Sequence, residues 1–116
     1  MNLNYTIPDI PPSNNQYIGQ NKRWQYSSAK KEWAQTVAIY CRPIPSSPIE
    51  RAVVTLTYHF ADRRRRDPDN YSGKMILDGL VSCGILKDDS FDNIELKLRK
   101  GEPSKKPYTE IEVEDI

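Results

Sequence analysis

Residues 51–100 read RAVVTLTYHFADRRRRDPDNYSGKMILDGLVSCGILKDDSFDNIELKLRK, and the periods within this stretch decide the fold. From Arg51 to Phe60 the side chains alternate, with Val54, Leu56, Tyr58 and Phe60 on one face and Val53, Thr55, Thr57 and His59 on the other. A period of two marks a strand with one buried face. Ser72 can cap a helix whose apolar positions Met75, Ile76, Leu80 and Cys83 gather on one side, and Gly84 stands where such a helix stops. From Asn93 to Lys100, Ile94, Leu96 and Leu98 alternate with Glu95, Lys97 and Arg99, which predicts a second strand.

Downstream, GEPSKKP makes a turn, and Tyr108 to Val113 alternates again, with Thr109, Ile111 and Val113 on one face. Upstream, Trp33, Val37 and Cys41 with Ala34 and Ala38 recur at helical spacing after Ser27 or Ser28, until Pro43 ends the helix and CRPIPSSPIE connects it to the strand. Leu3 to Ile7 predicts a short opening strand. Between it and the helix, IPDIPPSNNQYIGQNKRWQ has turn residues and no period, and reads as a substrate-facing loop. The expected fold is α/β (α+β), a single domain over 1–116 with a mixed sheet and two helices in the order β-α-β-α-β-β.

The 116 residues suit one compact domain. A chain this short buries only about two-thirds of its unfolded surface, so pairing with a second copy would help it. Hydrophobic residues make up 37% and charged residues 28%, which suits a soluble globular chain rather than a disordered one, and no stretch approaches the ~18 apolar residues of a membrane span. The opening MNLNYTIPDIPP lacks a basic then apolar signal, so we expect a cytoplasmic protein. Cys41 and Cys83 have no CxxC neighbour and read as small apolar groups, with neither a zinc site nor a disulfide expected.

Net charge is only +1, but it is unevenly spread. Residues 1–66 hold ten Lys or Arg against four acids, and residues 67–116 hold seven against twelve, so +6 is followed by −5. The sign changes at ADRRRRDPDN. Arg63, Arg64, Arg65 and Arg66 offer bidentate donors to phosphate oxygens and, with the positive charge of Lys22 and Arg23 in the early loop, point to a nucleic-acid backbone. A solvated run pairing with Asp62 is the plainer alternative. Trp24, Tyr17 and Tyr26 lie near the early basic pair and could stack on an unpaired base or pack on the domain. His59, the single histidine, reads as an ordinary strand residue.

Asp67 and Asp69 follow the first long strand with a proline between them, and Pro68 disfavours helix at Asp67. In extended geometry the two carboxylates would point the same way. Asp88 and Asp89 stand before the next strand and would return to the same sheet edge if the two strands are neighbours. Oxygen donors without His or Cys suit a hard cation, Mg²⁺ rather than zinc. Such an ion relieves both difficulties of phosphodiester hydrolysis, a weak water nucleophile and a charged leaving oxygen, by lowering the pKa of bound water and stabilising that oxygen. Lys74 sits in the first helical turn, where a cation is unfavourable unless an anion partners it; we assign it to the phosphate, with a solvated lysine as the alternative. A lone DPD would read as an Asx turn with a cap; the second acid pair and the arginines favour a metal.

RRRRDPDNYSGKMILDGLVSCGILKDD resembles the central motif of RusA-type Holliday junction resolvases, small endonucleases of phages and prophages, and the likeness extends to PPSNN, AKKEWAQTV and the closing strands. The resemblance implies a homodimeric α/β enzyme that depends on Mg²⁺ and makes paired nicks in a four-way DNA junction. It implies that Asp67, Asp69 and Asp89 are the essential metal-binding aspartates and Lys74 the essential lysine. One departure lies around Tyr71 to Gly73, where this chain carries one more residue than the family pattern. Counting forward from Asp69 selects Asp88; counting back from the helix selects Asp89, which we prefer. A non-catalytic branched- or single-stranded-DNA-binding module, and a nuclease for forks and flaps, are the competing expectations.

Overall fold

The computed structural model describes residues 2–19 and 22–116. Four strands and two helices follow the expected order: β1 (Asn2–Ile7), α1 (Arg23–Tyr40), β2 (Ala52–His59), α2 (Lys74–Ser82), β3 (Ile94–Lys100) and β4 (Tyr108–Asp115). Two 3-10 turns, Asn14–Tyr17 and Pro68–Tyr71, precede the helices. The strands form one mixed sheet in the order β1-β4-β2-β3. β4 is antiparallel to β1 and β2, while β2 and β3 run parallel.

The alternation seen in the sequence sorts the two faces of this sheet. Register places Tyr5 beside Ile111, Ile111 beside Leu56, and Leu56 beside Leu98. These side chains, with Val54, Tyr58 and Val113, face α1 and α2 and form the core together with Trp33, Val37, Ile76 and Leu80. A fully buried Ile or Leu contributes about 1.5–3 kcal/mol. The opposite face carries Asn4, Thr6, Glu110, Glu112, Glu95 and Lys97, all exposed, and no described helix covers it. His59 lies on that face and is anchored there, stacked on Tyr108 at 4.1 Å between ring centroids. Its Nδ1 donates to the Glu102 carbonyl at 2.8 Å and its Nε2 faces Glu110.

The first helix starts earlier than expected. Neither Ser27 nor Ser28 caps it; Arg23 begins it, and the Tyr26 amide donates to the Lys22 carbonyl at 3.0 Å. Tyr26 packs edge-on against Tyr17 at 5.3 Å, a tertiary contact that draws one more turn into the helix. The expected loop is thus shorter, contains a 3-10 turn, and its residues 20 and 21 lie outside the described residues.

The cap residue of the second helix is Gly73, not Ser72. Gly73 is left-handed at φ +79°, and a Cβ there would meet Leu56 Cδ1 at 2.2 Å, so glycine is required both by conformation and by space. Ser72 Oγ accepts instead from Asn14 Nδ2 at 3.3 Å. Gly79 lets the two helices touch, since a Cβ there would lie 2.8 Å from Val37 Cβ. Gly84, at φ +90°, ends the helix as expected, with the Ile85 amide donating to the Leu80 carbonyl. Cys41 is buried, Cys83 half-buried, and both are free thiols. Burial pushes the Cys41 thiol up to about 12.

Candidate active site

The site grows from the chain that leaves β2. After Phe60 the arginine run passes beside the end of β3, where Lys100 Nζ donates to the Arg64 carbonyl at 3.4 Å. Arg63, Arg64 and Arg65 are between 77% and 88% exposed, each against one carboxylate: Glu102 at 3.3 Å, Asp62 at 3.2 Å and Asp67 at 3.2 Å. Arg66 behaves differently. Its side chain is only 15% exposed, it pairs with Asp62 at 2.9 Å, and its guanidinium lies 4.3 Å from the Phe60 ring centroid. The Arg64 amide, followed by the Arg66 side chain, holds the Asp62 carboxyl below its ordinary range. Three of the four arginines are therefore presented outward and one is a structural clamp.

Asp67 is extended, with φ −99° and ψ 137°, as a residue before proline should be. Asp69 is not: it lies within the Pro68–Tyr71 3-10 turn. Three residues per turn separate the directions of residues two apart, so the extended-chain argument for aligned carboxylates does not hold. Proline at the first helical position favours a turn here over continued strand. The early loop is fastened to this turn, with Asn14 Nδ2 donating to the Asp69 carbonyl at 2.9 Å. The PPSNN and DPDN segments thus share one framework.

The route of Asp89 also differs from the expected one. β2 and β3 are neighbours, but because they are parallel, the exit of β2 and the entrance of β3 lie at opposite ends. The loop before β3 instead carries Asp89 alongside Leu77, where both line a cleft with Phe91, Ile94 and Leu96. There Lys74 Nζ lies 3.8 Å from Asp89 Oδ2 and 3.1 Å from Asp78 Oδ1. Asp89 is 21% exposed, whereas Asp88 is exposed and accepts from the Asp89 amide at 2.8 Å, serving the loop's turn. Asp67 lines a second cleft, with Tyr58, Tyr71, Leu98 and Lys100.

The cation at the start of α2 thus has the carboxylate partners that the helix dipole calls for. The hydrogen bond to Asp78, ahead of the Coulombic pull of Asp78 and Asp89, raises the Lys74 pKa above its ordinary value. Sequence reasoning gives Asp78 no role. The signal is nevertheless present, because Lys74 and Asp78 are four apart on a helix and must be neighbours. Lys30 of α1 completes the chain of charges, 3.4 Å from Asp78 Oδ2.

Among the described residues, no three Asp, Glu, His or Cys side chains stand close enough together to share one metal ion. The donor chemistry fits a hard cation, since Asp67, Asp69 and Asp89 offer only oxygen. Both Asp67 and Asp89 already have a protein cation beside them, Arg65 and Lys74. Lys22 and Arg23 are exposed at the start of α1, and Trp24 beside them is 83% exposed, whereas Tyr17 and Tyr26 pack on each other.

No family model matches the chain. It is similar to the crossover junction endodeoxyribonuclease RusA of Enterobacteria phage 82, with 32% identity over 96 residues, spanning 78% of this chain and 77% of that protein. That likeness, extending across a mixed-sheet domain of the expected element order, means that the chain belongs to the RusA family of crossover junction endodeoxyribonucleases.

Proposed function

We propose that the protein is a Mg²⁺-dependent endodeoxyribonuclease that resolves four-way DNA junctions by paired nicks, acting as a homodimer in the cytoplasm. The observation that carries this reading is Lys74, held in the first turn of α2 between Asp78 and Asp89, in a member of the RusA family. Asp67, Asp69 and Asp89 would hold the metal. When bound, a divalent ion supplies positive charge that acidifies water and neutralises the leaving oxygen. The ammonium of Lys74 stabilises charge developing on the scissile phosphate. Arg63, Arg64 and Arg65 hold flanking backbone phosphates, as Lys22 and Arg23 do farther along. Arg66 steadies the run from within.

The seam for a dimer is β3, an edge strand. Ile94, Leu96 and Leu98 on its helix-facing side are only half-buried, and Phe91 before it is fully exposed. Antiparallel pairing of β3 with its two-fold mate about Leu96 would set Glu95 against Lys97 and Ile94 against Leu98, favourable on both faces. A protein that sediments as a monomer at all concentrations removes this part of the reading.

The deciding experiment mixes purified protein with a synthetic four-way junction in Mg²⁺ or EDTA, alongside fork, flap and linear duplex. Symmetric nicks in the junction with Mg²⁺ alone are expected. Tight binding with no nicks would favour the non-catalytic DNA-binding module, the alternative that the separated carboxylates support. Preferential cutting of forks or flaps would keep the chemistry and change the substrate.

A further inference from the structure

We infer that Asp78 is a positioning residue: it takes up Lys74, so that the Asp89 carboxylate stays open to a cation and the lysine keeps donors free for phosphate. The inference rests on the reading that Asp89 is a metal ligand.

The geometry is unequal in a telling way. Lys74 Nζ is at hydrogen-bonding distance from Asp78, 3.1 Å, but at 3.8 Å from Asp89 it is only an ionic neighbour. The pair is not explained by helix stability, because a lysine four residues before an acid is the poorer of the two orders, and a cation in the first turn opposes the dipole. Asp78 is also better fixed than the lysine it holds. Its side chain is 20% exposed against 55% for Lys74, and Lys30 of α1 lies 3.4 Å from its second oxygen. That oxygen, Oδ2, is buried and makes no hydrogen bond among the described residues. Asp78 is therefore an anchored anion in contact with two lysines from two helices. An ammonium has three donors, and Asp78 occupies one.

Remove the Asp78 charge and Lys74 has one carboxylate left within reach. It would close the gap to Asp89 and compete there with any divalent ion. The test is Mn²⁺ binding to the metal-free full chain, followed by paramagnetic resonance in the absence of DNA, for wild type, Asp78→Asn, Asp78→Glu, Asp89→Asn and Asp78→Asn combined with Lys74→Ala. Asp78→Asn is expected to weaken Mn²⁺ binding about fivefold, the scale of one partly exposed ion pair. Asp78→Glu, which keeps the charge, should stay near wild type, and adding Lys74→Ala to Asp78→Asn should restore affinity. Unchanged affinity in Asp78→Asn, or no restoration in the double variant, overturns the inference while leaving the metal site standing. Wild-type binding unaffected by Asp89→Asn overturns the metal reading, and the inference with it. A general loss of structure in Asp78→Asn would weaken binding in the double variant as well, so restoration separates positioning from folding.

Discussion

The arginine run and the Lys74 cluster use the same chemistry, cation against carboxylate, at opposite degrees of exposure. Arg63, Arg64 and Arg65 extend into solvent against partners that are themselves about half open to it or more, Asp62, Asp67 and Glu102. Such pairs contribute about 0–1 kcal/mol each, so a phosphate can replace the protein carboxylate at little cost. Asp78 and Asp89 are mostly covered and their geometry is set by α1, α2 and the loop before β3. On the proposed reading, the first region exchanges partners and the second keeps them. A polyanion binder needs the former; a reaction centre needs the latter.

Substitutions test this division of labour. The largest effect is expected for Asp69→Asn, which should lower nicking by more than about a hundredfold, the upper range for a mere supporting partner of a metal ligand. Junction binding in gel shifts should hold or tighten, since a negative charge facing phosphate is removed. Weaker binding with retained cleavage would reverse the roles assigned to the two regions. Next comes Lys74→Ala, which should reduce turnover roughly tenfold or more with little change in junction affinity. An effect confined to affinity would return Lys74 to the exchangeable class.

Replacing Arg63, Arg64 and Arg65 together by alanine should flatten the slope of log affinity against log salt by about 2.7, at ~0.9 for each phosphate no longer neutralised, while the denaturation midpoint barely moves. Arg66→Ala should do the converse, costing roughly 1 kcal/mol of stability as the Phe60 stacking and Asp62 pairing disappear, with a smaller change in salt slope. Equal salt slopes for the two variants would erase the distinction between them. The smallest effect concerns the thiols. With Cys41 shifted up to about 12 by burial and Cys83 also raised chiefly by burial, little thiolate exists at pH 8. A disulfide-exchange reagent should label Cys83 slowly and Cys41 only on unfolding.

Much of the fold was legible because it rests on periods that one face of a sheet imposes. Val54, Leu56 and Tyr58 against Thr55 and Thr57 announce β2 without any partner being known. What escaped depends on contacts distant in sequence. The start of α1 is moved by Tyr17 against Tyr26, and Ser72 is diverted from capping by Asn14, fifty-eight residues away. At the site, the residue types were readable but their directions were not. Pro68 correctly implied an extended Asp67, yet the same proline opens a 3-10 turn that swings Asp69 elsewhere. Counting back from the helix favoured Asp89 over Asp88, but its place beside Lys74 depends on the loop before β3 lying alongside α2, and Asp78 acquired meaning only beside both Lys74 and Lys30.

The left-handed Gly73 has a consequence for how this chain can vary in length. In an unbroken helix each added residue would rotate everything after it by about 100°. Here the short turn carrying Asp69 and the helix carrying Lys74 are separate elements, divided by the left-handed Gly73. A residue added before Gly73 would therefore fall outside the helix, and Lys74 and Asp78, four apart within it, would keep their mutual phase.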